Sequence, residues 1–234
     1  MSDLVLQPGE RGLIVGNTGS GKTQMLIAQV RHFARSPVYI LDSKEDDGIR
    51  NLLREAGDEH GATLSRGLGE FEKFLKLKKK PDYVRIIPPA SELNNPDQLD
   101  EYMQLVYQKG QSCLFCIDEA YQVHTRGQAG DGIISLLTRG RSKGISLLAC
   151  TQRPAWLARF FLTESQKFWV YRLQDIQDRK RLAEAIPYPR DLVLDKYSFF
   201  YYKSGDASGK TYGPIPLSYD PGYVSEPEIS SRWI

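Results

Sequence analysis

The sequence predicts an α/β fold with a mostly parallel central sheet and helices on both faces, and three observations carry that expectation. Short apolar runs alternate with amphipathic helical patterns along most of the chain. The first run, Gly12-Leu13-Ile14-Val15, leads directly into Gly16-Asn17-Thr18-Gly19-Ser20-Gly21-Lys22-Thr23, a phosphate-binding loop between strand and helix. A later run, Cys113 to Ile117, ends in the paired acids Asp118-Glu119. Strands separated by helices lie parallel and are covered on both faces, so they read as continuous apolar stretches.

The first strand is Leu13–Val15. In the helix that follows the loop, Met25, Leu26, Val30 and Phe33 form an apolar stripe, with Gln24, Gln29 and Arg31 on the polar side. Further strands are expected at Val38–Leu41, Val84–Ile87, Leu114–Ile117, Ile145–Ala149, Phe168–Arg172 and Phe199–Tyr202. A helix from Pro96 to Lys109 is well marked. Asn95 caps it, proline opens its first turn, Leu99, Met103 and Val106 form its buried stripe, and Gly110 follows its end. Residues 58–81 carry a weaker pattern, with a helix around Phe71–Leu75 that runs into a solvated end at Lys78-Lys79-Lys80-Pro81. Ser204-Gly205-Asp206 and Ser208-Gly209 predict a hairpin turn between Tyr202 and Tyr212. From Pro214 the chain is rich in Pro, Ser and Tyr without periodicity, which suggests an extended arm. The expected organisation is one domain over residues 1–203, then a hairpin and arm over 204–234.

Composition excludes several classes. With 41% hydrophobic and 26% charged residues, the 234-residue chain reads as a soluble protein with one full core. No apolar run approaches the ~18 residues of a membrane span, and Met1-Ser2-Asp3-Leu4 lacks the pattern of a signal peptide. The expected location is inside a cell or a particle. Of the three cysteines, Cys113 and Cys116 form a C-x-x-C, but on a strand these positions face opposite sides. They and Cys150 are read as apolar filler in a reducing compartment. Net charge is only +2, yet residues 121–160 hold Arg126, Arg139, Arg141, Lys143, Arg153 and Arg159 against the single acid Asp131.

The motifs supply the chemistry. Glycines let the loop turn its N–H groups inward around phosphates at the positive end of a helix. Lys22 adds a mobile cation, and the Thr23 hydroxyl is placed to ligate Mg²⁺. An apolar strand ending in two acids is the Walker B pattern. Asp118 is then expected in the Mg²⁺ shell opposite Thr23, and Glu119 polarises a water for attack on a γ-phosphate. This pair separates nucleotide classes. The D-x-x-G at Asp58-Glu59-His60-Gly61 follows a helical pattern and no N-K-x-D exists, which disfavours GTP in favour of ATP. A small-molecule kinase has no need of the hydrolytic glutamate. Past the strand Ile145–Ala149, Thr151-Gln152 places an amide that can bond the γ-phosphate or the attacking water. Arg139 and Arg141 precede that strand, where at a subunit edge an arginine can reach a neighbour's γ-phosphate. The loop His124-Thr125-Arg126-Gly127-Gln128-Ala129-Gly130 makes Arg126 and His124 candidates for DNA contact.

Together, the phosphate loop, Ile117-Asp118-Glu119, and Arg141-x-x-Gly144-Ile145-x-Leu147-Leu148-x-Cys150-Thr151-Gln152-Arg153-Pro154 resemble the FtsK/HerA superfamily of DNA-pumping ATPases over roughly residues 10 to 175. The resemblance implies a RecA-like (ASCE) P-loop fold. It implies Lys22 and Thr23 as phosphate and Mg²⁺ groups, Asp118 and Glu119 as the Walker B pair, Gln152 as sensor and Arg141 as the arginine acting between subunits. Asp42 and Lys44 are similar to that family's D-x-K segment, without an assigned role. FtsK-type pumps carry membrane spans and a winged helix, and HerA-type proteins an N-terminal β-barrel, whereas here the first strand begins near residue 12. A core of this size resembles the genome-packaging ATPases of icosahedral viruses with an internal membrane. The expected function is a hexameric ring motor that hydrolyses ATP and moves double-stranded DNA into a preformed capsid. Its expected partners are capsid-vertex or viral membrane proteins, and its place the packaging vertex of the virion and the host cytoplasm. Rival readings are a plasmid or cellular translocase of the same superfamily and a nucleotide-dependent assembly switch that does not pump.

Overall fold

A computed structural model describes residues 4–33, 37–125, 128–188, 194–204 and 211–216. β1 (Arg11–Val15) runs into α1 (Lys22–His32), and β2 (Val38–Leu41) into α2 (Asp47–Ala56). β3 (Gly61–Leu64), α3 (Leu68–Leu75), β4 (Tyr83–Ile86), the short α4 (Ala90–Leu93) and α5 (Pro96–Lys109) follow. β5 (Leu114–Ile117) precedes a small separate hairpin of β6 (His124–Thr125) and β7 (Gln128–Ala129), and then α6 (Asp131–Arg139). β8 (Ser146–Thr151), α7 (Arg159–Glu164), β9 (Lys167–Tyr171), α8 (Ile176–Ala183), β10 (Ser198–Lys203) and β11 (Thr211–Pro216) complete the chain's described elements.

Among the described residues, nine strands form one sheet in the order β11, β10, β9, β1, β8, β5, β2, β4, β3. All pairs from β9 to β3 are parallel, and β10 is antiparallel to both of its neighbours. The sheet is therefore mostly parallel, as expected. Its strands alternate strictly between two cores. Leu13, Val15, Phe115, Ile117, Leu147 and Ala149 face the side packed by α3, α5, α6 and α7. Ile14, Leu114, Cys116, Leu148 and Cys150 face the side packed by α1 and α2. Cys113 and Cys116 fall into opposite cores, and all three cysteines are free and buried. Burial holds the Cys116 and Cys150 thiols well above their usual range, so they remain protonated filler.

The helix from Pro96 to Lys109 has the expected bounds, and the Asn95 side chain accepts from Asp97 N and Gln98 N. β8 runs two residues past the expected Ala149 because its pairing with β1 continues to Thr151 opposite Val15. β3 was not legible. It is an edge strand, more exposed than its neighbours, with no apolar run to mark it. β10 and β11 pair antiparallel with Tyr201 opposite Tyr212, so β11 extends the main sheet, while residues 205–210 of the expected turn lie outside the described residues. The arm from 217 onward lies outside the described residues.

Gln29 differs from the amphipathic reading, which put it on the polar side of α1. It is fully buried. Its amide oxygen accepts the Leu6 N–H at 2.8 Å, and its Nε2 donates to the Leu4 carbonyl at 3.0 Å. The N-terminal segment thus crosses α1 as irregular backbone whose polar groups Gln29 satisfies.

Candidate active site

Strand order builds the site. β8 lies between β1, which ends in the phosphate loop, and β5, which ends in Asp118-Glu119. The residue just past β8, Gln152, must therefore sit between the two, at the C-terminal edge where open α/β sheets bind ligands. The Gly16 N–H donates to Thr151 O and the Asn17 N–H to Arg172 O, both at 3.2 Å, which ties the start of the loop to the ends of β8 and β9.

Within the loop, Gly19 (φ +73°) and Gly21 (φ +103°) adopt left-handed backbone that favours glycine. At Gly16 a Cβ would lie 2.5 Å from the Cβ of Tyr171 and 2.7 Å from the Ser20 hydroxyl, so no side chain fits there. Lys22 is buried and its Nζ donates to Asn17 O at 2.8 Å, across the loop. Burial presses its ammonium below the ordinary lysine value. α1 has no side-chain cap and no acid in its first turn, which leaves its N-terminal N–H groups and dipole for an anion.

Thr23 Oγ1 lies 3.5 Å from Asp118 Oδ1. The other Asp118 oxygen is buried without a hydrogen-bond partner, and burial pushes this carboxyl up to about 6. A hydroxyl facing a carboxylate with an orphaned oxygen is the hard-oxygen donor set that Mg²⁺ takes, so these residues fit the ion. Glu119 is fully buried and heavily engaged. Its Oε1 accepts the Gln152 backbone N–H at 3.3 Å, and its Oε2 accepts Gln152 Nε2 at 3.1 Å and an ion pair from Lys44. The Thr18 hydroxyl in turn donates to Gln152 Oε1.

The sequence-predicted residues thus divide into two groups. Residues 16 to 23, Asp118, Glu119 and Gln152 converge at one edge of the sheet. Arg139 and Arg141 do not. Arg139 ends α6, with its guanidinium on Ser135 Oγ at 2.7 Å and 5.2 Å from the Tyr107 ring centre, and Arg141 is exposed in the following turn. Both stand at the opposite end of β8, roughly 20 Å from their own phosphate loop at ~3.3 Å per strand residue. His124, expected as a DNA contact, is 7% exposed, with Nε2 accepting the Ala158 N–H and its ring against Phe161. It packs the base of the β6–β7 hairpin, and burial lowers its pKa. Arg126 lies outside the described residues. The residue the motifs left without a role is Lys44. Its signal was its place just past β2, another parallel strand that ends at the same edge.

No family model matches the chain. It is 26% identical over 221 residues to the DNA packaging ATPase P9 of Enterobacteria phage PRD1, a match that spans 89% of this chain and 88% of that protein. The ESX secretion system protein EccC of Geobacillus thermodenitrificans (strain NG80-2) is 25% identical over 197 residues, covering 74% of this chain but 13% of that much longer protein. Among solved structures, the genome packaging NTPase B204 from Sulfolobus turreted icosahedral virus 2, in complex with ATP-gammaS, superposes with a TM-score of 0.66 at 17% identity, over 89% of this chain and 98% of that one. VirB4 of Thermoanaerobacter pseudethanolicus gives a TM-score of 0.60 at 10% identity, over 82% and 86%. At these identities the structural likeness establishes the fold. The chain is thus a homologue of a phage DNA packaging ATPase along nearly its whole length, and resembles in fold the viral genome-packaging NTPases to which its motifs pointed.

Proposed function

We propose that this chain is an ATP-hydrolysing motor that drives double-stranded DNA into a preformed viral capsid. One observation carries the reading: β1, β8 and β5 lie side by side and bring Lys22, Gln152 and the Asp118-Glu119 pair to a single point. The loop N–H groups and Lys22 bind and orient the β- and γ-phosphates. Thr23 and Asp118 hold Mg²⁺, which when bound neutralises charge on the phosphate oxygens. Glu119, oriented by Gln152, takes a proton from a water as that water bonds to the γ-phosphorus. The bond to the β–γ bridging oxygen breaks, releasing ADP and phosphate.

The finer reading concerns assembly. Arg139 and Arg141 cannot reach their own loop, which favours a ring, taken as hexameric, in which Arg141 completes a neighbour's site. Arg126, in the basic segment over residues 121–160, is assigned to the DNA phosphates. Capsid-vertex or viral membrane proteins are the docking partners, and the virion vertex and host cytoplasm the places of work. Among the described residues no helix is long and apolar enough to cross a membrane.

The test is ATP turnover with and without duplex DNA across protein concentration. A motor turns over faster with DNA and with assembly, whereas a switch is indifferent to DNA. Lys22→Ala is expected to weaken nucleotide binding roughly 10- to 100-fold, the loss of a charged hydrogen bond of about 1.5–3 kcal/mol. Glu119→Gln is expected to keep binding and lose about 10²- to 10⁴-fold in turnover. Near-parent hydrolysis in both variants would remove this site as the engine.

A further inference from the structure

Large apolar side chains stand open at the edge of the sheet where β8 and β9 end. Trp156, five residues past β8, is 53% exposed, and Ile176, five past β9, is 57% exposed. The two meet at Arg153, whose guanidinium lies 4.4 Å over the Trp156 ring and 3.4 Å from the Asp175 carboxylate. Arg153 also pairs with the buried Asp178 at 3.0 Å, which fastens the turn after β8 to α8. Tyr121 braces Trp156 edge-on at 5.7 Å, and the exposed Phe160 follows four residues on. A lone exposed apolar residue is ordinary, but a contiguous set held in place by its neighbours marks a contact surface.

The chain itself supplies an occupant. β10 is antiparallel to β9 and β11 to β10, so β11 runs in the direction of β9. Its last residue, Pro216, lies opposite Ser198, next to the Phe199 that pairs with Tyr171 at the end of β9. Residues 217–234 therefore set out from the edge that carries the exposed shelf. The end of β8 lies four strands from β11, roughly 19 Å at ~4.8 Å per strand. About six extended residues at ~3.1 Å each cross that distance, which brings Tyr223 and Val224 to Trp156. Pro221 and Pro227 favour extended backbone there. The segment carries Asp220, Glu226 and Glu228 against one cation, Arg232, while the exposed Arg172 and Arg159 stand past the ends of β9 and β8. Apolar surface and charge thus both match, and a tether this short gives an effective concentration of order millimolar, above the level of a second copy in dilute solution.

We propose that residues 217–234 form a strap that crosses the end of the sheet and packs Tyr223 and Val224 on the Trp156–Ile176 shelf of the same chain. Asp220 then passes Arg172, and Glu226 reaches Arg159. The strap is independent of the chemistry at the phosphate loop and is tested without nucleotide.

The experiment uses the full chain. Trp233→Phe leaves Trp156 beside the buried Trp169, and Trp156→Phe/Trp233→Phe gives the Trp169 signal to subtract. Acrylamide quenching of Trp156 is compared between Trp233→Phe and the same background carrying Tyr223→Ser and Val224→Ser. A closed strap shields Trp156 in the first and leaves it open in the second, with emission shifted to the red. In parallel, a glutamate-specific protease is applied to the parent and to Ile176→Asp, and cuts at Glu226 and Glu228 are read by mass. Ile176 is exposed in the first turn of α8, where an acid suits the helix dipole, and the melting temperature checks that the fold is kept. With the strap closed about nine-tenths of the time, these cuts come roughly tenfold faster in Ile176→Asp. Equal quenching in the two backgrounds, or unchanged cutting in a folded Ile176→Asp, overturns the strap. Shielding that appears only as protein concentration rises assigns the segment to a second copy and overturns the docking within one chain.

Discussion

Gln152 Nε2 donates to Glu119 Oε2 at 3.1 Å, and the carbonyl end of the same amide accepts from Thr18 on the phosphate loop. One side chain therefore bonds the phosphate loop with one atom and Glu119 with another, which under the proposed function lets it couple the loop to the base. Gln152→Leu keeps the volume and removes both bonds. Turnover is expected to fall on the order of 10²-fold, with analogue affinity changed less than about threefold. Equal losses in binding and turnover would make Gln152 a phosphate ligand rather than an orienting group.

Arg141 is expected to act across a subunit boundary. Arg141→Ala should bind ATP normally and lose about 10³-fold in turnover. Mixing it with Lys22→Ala gives rings in which some interfaces pair an intact loop with an intact arginine, so activity partly returns. Absence of recovery in rings shown by mass to be mixed would remove the arginine from the neighbour's site.

Asp118 sets a stability dependence on pH. Its folded pKa is about 6, against an ordinary 3.8, because burial disfavours the charge. For an acid whose pKa is raised on folding, the stabilising state is the protonated one. The contribution is present at pH 4 and is lost as the pH rises through 6. In nucleotide-free protein with chelator, Asp118→Asn should therefore melt higher than the parent at pH 8, by ~1–2 kcal/mol or a few degrees. The gap should close by about pH 4–5. A gap independent of pH, or of the opposite sign, would show the carboxylate to be well solvated in the folded protein.

Gln29→Leu tests the N-terminal crossing. It leaves the buried Leu6 N–H unpaired, a cost of roughly 1–3 kcal/mol. Thermal melting should drop by about 4–10 °C. Turnover per folded molecule should hold. A drop under 1 °C would mean that water replaces the amide.

The fold was legible wherever a residue's role follows from its neighbours in sequence. The parallel strands, the capped helix from Pro96 and the phosphate loop all rest on such local rules. Gln29 was misread because periodicity counts its amide as surface, while its partners, Leu4 and Leu6, lie more than twenty positions upstream in a segment without regular structure. Lys44 was left without a role because its place just past β2 does not reveal its pairing with Glu119, seventy-five positions away. β3 escaped because an edge strand needs little apolar side chain. Asp118, Glu119 and Gln152 could be singled out as neighbours because their strands end in polar residues after fully apolar runs, a pattern that marks the ligand edge of a parallel sheet.

β8 is hydrogen-bonded along both sides, to β1 and to β5, and carries Gln152 just beyond one end and the Gly140–Lys143 turn before the other. A strand clamped in this way neither stretches nor bends cheaply, so it is a ruler of fixed length across the molecule. Gln152 beside the phosphate loop and Arg141 in the turn at the other end keep a constant separation, so a tilt of this one rod moves both ends together.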